Sequence, residues 1–324
     1  MTGGESMSGN DPRITGTAGA PAPRHEPTVG IVGLGLIGGS FARAYAAAGW
    51  RVLAWDKDAD TLAIARIDVV TGLLRTPEDI AACDLIILAA YPGACLEWLR
   101  RNARTLGAAT YEAKARGEAF GPVVIDVAGV KGSVCADAFA VAGQSGFAFC
   151  GSHPMAGSHH SGFAHSRPDL FAGAPMVLTP PEIPDTDRLD LLDRVNELLK
   201  PCGFGTFSVT TPDEHDATIA FTSQLAHVVS NAYVKSPTAQ AHHGFSAGSY
   251  KDLTRVAHLN PAMWAELMMD NAEHLAFELG VLIDNLRSVE RALAEHDDEA
   301  LEALLAQGDR IKRELDDMPA PRST

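Results

Sequence analysis

An apolar run at residues 29–32 stops at Gly33-Leu34-Gly35-Leu36-Ile37-Gly38, and a segment of helical composition, 37–48, leaves that turn and ends at Gly49. Glycines at this spacing between a strand and a helix admit few folds. The first permits a tight turn, the second lets the backbone approach a pyrophosphate, and the third lets the helix pack closely on the strand. The helix start adds free amides and the positive end of its dipole. A second strand, 51–55, ends at Asp56, about 20 residues beyond the turn, the distance expected of a ribose-binding carboxylate. Asp56 is set to accept from the 2′- and 3′-hydroxyls, which favours NAD; Lys57 follows it, so NADP is less favoured without being excluded. The expected nucleotide contacts are Gly33, Gly35, Leu36, Ile37, Gly38 and Asp56.

The alternation continues downstream. Strand-like runs at 85–90, 123–126, 147–150 and 176–179 are separated in places by helical segments such as 93–106 and 133–142. Buried strands separated by helices indicate an α/β fold, a Rossmann-like, doubly wound and mostly parallel sheet. One more helix, 189–199, and a last strand, 205–209, complete it. From about Asp213 strand signals vanish, and 221–234, 261–294 and 299–315 read as helices. Leu275, Leu279, Leu282, Ile283, Leu286 and Leu293 keep helical spacing. Apolar residues on more than one face suit a bundle or a second copy of the chain. The expected organisation is a disordered tail at 1–27, a dinucleotide-binding domain at 28–211, an all-helical substrate and dimerisation domain at 212–316 that forms a homodimer, and a flexible C-terminus at 317–324.

Charge narrows the partners. A formal net charge of −15 disfavours nucleic acid, whose phosphates need clustered Lys and Arg. An anionic substrate must be met by local positive charge instead. Cys83, Cys95, Cys135, Cys150 and Cys202 are scattered, without a CxxC pair, so no zinc site or disulfide framework is expected and a reducing cytoplasm fits. No apolar run is long enough to span a membrane, and the first residues lack the apolar segment of a signal peptide.

The run Gly151-Ser152-His153-Pro154-Met155-Ala156-Gly157 supplies a candidate for chemistry. A nicotinamide accepts hydride but does not deprotonate the alcohol being oxidised, so a separate base is needed. A histidine on a loop beside the nucleotide crevice suits that task near neutral pH. Together the two signals point to an NAD-linked dehydrogenase with His153 catalytic.

Four stretches resemble the prephenate dehydrogenase family. They are the glycine turn continued through Gly39-Ser40; Asp126-Val127-Ala128-Gly129-Val130-Lys131-Gly132; the His153 run, continuing to Leu170-Phe171; and Asp252-Leu253-Thr254-Arg255-Val256-Ala257 with Pro261-Ala262-Met263-Trp264. Their order fits nearly the whole chain from Thr28 to about Leu315. The resemblance implies a Rossmann domain, a helical dimerisation domain and an active site between them. It implies oxidation of a dianionic ring alcohol with loss of carbon dioxide, a step in tyrosine biosynthesis. His153 would accept the C4 hydroxyl proton, and Arg255 would grip a substrate carboxylate with its guanidinium fork. Ser152, Trp264 and Gly129 would line the substrate. His227 would reach the substrate side chain or serve packing.

Two departures matter. Gly129 stands where the family pattern has serine, near the substrate hydroxyl and the catalytic histidine. Ser158-His159-His160-Ser161-Gly162 replaces the commoner acidic–basic pair after Gly157. Adjacent side chains at His159 and His160, or His242 and His243, point apart without a carboxylate cluster, so no metal is expected. Arogenate and an amino-substituted prephenate stay open as substrates. So does a catalytically impaired, NAD-binding relative with a regulatory role. A β-hydroxyacid dehydrogenase is disfavoured, because 221–235 lacks the glycine-rich approach to a catalytic lysine.

Overall fold

The computed structural model describes residues 26–158, 160–241, 245 and 247–318. The tail expected at 1–27 lies outside these except for its last two residues, as do His159, His242, His243 and residues 319–324. Eight strands form one sheet: β1 (Thr28–Val32), β2 (Arg51–Trp55), β3 (Gly72–Leu73), β4 (Leu85–Leu88), β5 (Val123–Asp126), β6 (Ala148–Pro154), β7 (Pro175–Thr179) and β8 (Thr206–Val209). Their order is β3-β2-β1-β4-β5-β6-β7-β8. All neighbours run parallel except β6 and β7, which are antiparallel with His153 opposite Val177.

Strands β1 and β4 are buried along their whole length because helices cover both faces. Alternate residues feed different cores. Val29, Ile31, Leu85 and Ile87 join one apolar cluster, while Val32, Ile86 and Leu88 join the other. The helices of this half are α1 (Leu36–Ala47), α2 (Ala59–Asp68), α3 (Pro77–Ala81), α4 (Pro92–Ala115), α5 (Gly132–Ser145) and α6 (Asp185–Leu199).

The second half is helical. Thr211 opens α7 (Pro212–Ile219) with a capping box, its side chain accepting from the Glu214 amide while the Glu214 side chain reaches back. A π-helical stretch, Ala220–Leu225, continues directly into α8 (Ala226–Tyr233). The helix expected to begin at 221 therefore begins a full α7 earlier. After α9 (Gly248–Thr254) come α10 (Pro261–Asp270), α11 (Ala272–Glu295) and α12 (Asp298–Asp317). The single helix expected over 261–294 is broken at Asn271, whose backbone leaves helical geometry at φ −122° and ψ 31°. Its Nδ2 donates to the Asp216 carbonyl at 2.8 Å and to Gln224 Oε1 at 2.9 Å, so long-range bonds override local helix preference. Helices α11 and α12 leave Phe277, Leu286, Leu293, Leu305, Ile311 and Leu315 exposed. Among the described residues, no helix is long and apolar enough to cross a membrane.

The glycine turn separates structural from open positions. Gly33 sits at φ +96°, and a Cβ there would lie 2.7 Å from the Ala89 carbonyl oxygen. At Gly38 a Cβ would fall 1.9 Å from the Gly33 carbonyl oxygen, whereas at Gly35 it would meet nothing within 4 Å. Gly38→Ala is therefore expected to destabilise the protein by about 1–3 kcal/mol or more through overpacking. Gly35→Ala should leave the thermal midpoint within about a degree, in keeping with the small effect of substitutions that meet no packed neighbour. Thermal unfolding of both variants tests the assignment; equal midpoints would overturn it.

Candidate active site

The nucleotide end follows from the glycine turn. No side chain caps the N-terminus of α1. Asp56, at the end of β2, accepts from the Leu34 amide at 2.6 Å through one oxygen and from the Asp58 amide at 2.8 Å through the other. Asp56 thus holds the glycine loop. Leu36 and Ile37 occupy the first turn of α1, partly buried against the core.

At the end of β5 a buried ion pair organises the next turn. Lys131 and Asp126 are both fully buried, and Nζ of Lys131 bonds the Asp126 carboxylate and also the Ser152 carbonyl at 2.7 Å. The other contacts to that carboxylate come from the amides of Ala128 (3.0 Å) and Ser152 (3.2 Å). Ser152, expected at the substrate, is instead fully buried, with its hydroxyl donating to the Asp126 carbonyl. The reason is strand alternation: Ser152 and His153 are neighbours on β6, so they face opposite sides of the sheet. His153 accordingly lies at a strand end, not on a loop.

His153 Nδ1 is 2.9 Å from Nε2 of His215, and His215 Nδ1 is 2.7 Å from Asp216 Oδ1. His215 and Asp216 stand on α7 and are buried. The Asp216 carboxylate also accepts the amides of Lys131 and Gly132, each at 2.7 Å, where α5 begins. Burial first, then the neighbouring Lys131 and His215, push the His153 pKa well below its ordinary value. An imidazole so placed stays neutral and able to accept a proton.

Gly129 sits opposite His153 Nε2. A Cβ there would be 3.9 Å from that nitrogen and 3.7 Å from Leu267 Cδ2, ordinary contacts that leave space for a small side chain. Leu267 lies one helical turn beyond Trp264 on α10, so both share a face. The Trp264 ring lies against His227 at 3.9 Å between centroids, tilted by 40°. Nδ1 of His227 donates to the Val256 carbonyl at 2.9 Å, and burial lowers its pKa, with Arg255 lowering it further. Arg255 is exposed at the end of α9 and forms no salt bridge among the described residues. The expected site residues thus fall into three groups: the nucleotide loop, His153 with Gly129, and His227 with Trp264 and Arg255. Helix α10 connects the last two over about 4.5 Å of helical rise. Among the described residues, no group of three His, Cys, Asp or Glu side chains could hold a metal. His160 stacks on His165 at 4.6 Å.

Two family models match the chain. The family model described as "Prephenate dehydrogenase, nucleotide-binding domain" matches residues 41–204, and "Prephenate dehydrogenase, dimerization domain" matches 211–307. The chain belongs to the prephenate dehydrogenase family. It is 28% identical over 287 residues to prephenate dehydrogenase of Bacillus subtilis (strain 168), spanning 85% of this chain and 72% of that one. The structure of Synechocystis arogenate dehydrogenase matches with a TM-score of 0.69 at 25% identity, over 88% of this chain and 99% of that one. Prephenate dehydrogenase from A. aeolicus, in complex with hydroxyphenyl propionate and NAD+, matches with a TM-score of 0.69 at 24% identity, over 89% and 98%.

For a member of this family the sequence reading missed His215 and Asp216. Their signal was present: a His-Asp pair inside the first turns of a capped helix, which reads as an ordinary solvated helix start. The double engagement of Asp56 yields a prediction. Asp56→Ser should raise KM for NAD and shift preference toward NADP, because it removes a loop anchor, a hydroxyl acceptor and a charge that repels a 2′-phosphate. Steady-state KM values for both nucleotides test this; an unchanged KM for NAD would count against it.

Proposed function

We propose that this protein catalyses the NAD-dependent oxidative decarboxylation of prephenate to 4-hydroxyphenylpyruvate in tyrosine biosynthesis. The observation that carries the reading is His153, a neutral imidazole at the inner end of the sheet with Nε2 directed at the space beside Gly129. Gly33, Gly35, Leu36, Ile37, Gly38 and Asp56 would hold the dinucleotide. The open approach at Gly35 and the uncapped start of α1 fit its phosphates. When bound, NAD takes the C4 hydrogen as hydride. His153 accepts the C4 hydroxyl proton, and loss of the C1 carboxylate as carbon dioxide leaves an aromatic ring. Arg255 supplies local positive charge for a carboxylate, which an acidic chain needs at its site. Trp264, with Leu267, provides an apolar wall for the ring.

We place the domain boundary at 211/212, between the last strand and the capped start of α7, with domains at 28–211 and 212–316. A homodimer formed through the exposed apolar faces of α11 and α12 would bury them. Five free, buried cysteines suit a reducing cytoplasm.

One observation favours a second substrate, arogenate. Since His227 Nδ1 donates to a carbonyl, its Nε2 in the neutral ring is an acceptor. An acceptor suits a side-chain ammonium group better than a keto oxygen. NADH formation with each substrate decides between them. If His227 selects the amino group, wild-type enzyme prefers arogenate in kcat/KM, and His227→Gln, which offers donor and acceptor alike, narrows the gap. A preference for prephenate that this variant leaves unaltered would remove the second reading.

His153→Asn is expected to lower kcat by about 10²–10⁴ while leaving the KM for NAD nearly unchanged. The acid limb of kcat/KM should fall below the ordinary histidine value of about 6.5, because the charged imidazolium is disfavoured in the folded site. Activity lost as pH falls through that ordinary value, or a fully active variant, would contradict the role.

A further inference from the structure

Nothing in His153 alone determines which ring nitrogen carries its proton. A base facing Gly129 must leave Nε2 bare, so Nδ1 must carry the hydrogen. In water, the histidine ring populates both tautomers, and a hydrogen-bond partner selects one. That partner is His215, and its own direction is set by Asp216.

The direction can be traced from atoms. Both oxygens of Asp216 already accept backbone amides, those of Lys131 and Gly132. The carboxylate therefore meets His215 as an acceptor, and a bare Nδ1 at 2.7 Å would set two lone pairs against each other. His215 Nδ1 carries the hydrogen, so its Nε2 is an acceptor. At 2.9 Å from that acceptor, His153 Nδ1 must donate. Its Nε2 is then a free lone pair.

We propose that His215 and Asp216 are positioning residues: they lock His153 in the Nδ1–H tautomer and so deliver a competent base. The proposal rests on His153 being the base. It also assigns the helical half a part in the chemistry, since α7 brings both residues to a histidine on the sheet. Asp216 is fixed from two sides. The amides at the start of α5 hold its carboxylate, and Asn271 holds its carbonyl at 2.8 Å.

Two measurements on the full chain test this. Nitrogen-15 NMR of histidine-labelled protein without substrate, assigned with His153→Asn, should show the His153 proton on Nδ1. In kinetics, His215→Leu should lower kcat by about 10²-fold, the loss typical of a misplaced catalytic group, with KM for NAD unchanged. His215→Gln should recover most of that loss, because its side-chain oxygen can take the same hydrogen bond. A wild-type proton on Nε2 overturns the relay, as does a fully active His215→Leu enzyme, or a folded His215→Gln enzyme no better than His215→Leu. If His215→Leu fails to fold, the tautomer measured in wild type still decides. A fully active His153→Asn enzyme would instead sink the underlying reading of the base, whatever the tautomer.

Discussion

The buried ion pair between Asp126 and Lys131 is the interaction on which the site depends. Neither side chain touches solvent, and separating the partners by removing one typically costs about 3–5 kcal/mol. Charges buried this completely need further hydrogen bonds, and they have them. The Asp126 carboxylate takes two amides besides the ammonium, and Lys131 reaches the Ser152 carbonyl. One of those amides belongs to the turn that carries Gly129, and the rest fasten β6 immediately before His153. The same residues that neutralise each other therefore determine how far β6 extends and where its last side chains point.

The reversal at β7 serves the same end. A strictly parallel sheet would need a crossover helix after β6. Here β7 returns alongside it, with four register pairs from Gly151–Thr179 to Pro154–Met176. Pairing with β5 ends at Cys150, so the ladder that holds His153 is the one with β7. The helical half then closes on it from outside through α7 and α10. The site is a joint between a stiff sheet and a helical wall, which is where clefts between domains commonly bind small molecules.

Much of this was legible in residue order. The glycine turn, Asp56 and the strand–helix alternation are local signals, each set by backbone sterics or by period. His153 was recognisable from its setting. The failures share a cause. Ser152 was assigned to the substrate because it is next to His153 in sequence, yet alternation on a strand separates neighbours. The break at Asn271 carries no glycine or proline; it exists because Asp216 and Gln224, far away in sequence, claim its amide group. His215 and Asp216 look like surface residues at a helix start until the fold places β6 and α5 against them. Pairings across the domain boundary leave no periodic trace in either partner.

The π-helical turn between α7 and α8 determines helical phase. His215 and His227 are twelve positions apart, which on an uninterrupted α-helix places them about 120° apart around the axis. A π turn absorbs roughly one residue, and the remaining offset is about 20°. One continuous rod thereby shows both histidines to the same side, one toward His153 and the other toward Trp264. If Ala220–Leu225 relaxed into a regular α-helix with all its residues kept, His227 would swing about 100° away, with every side chain in it unchanged. In this protein the angular placement of two histidines is encoded as a surplus residue in a helix.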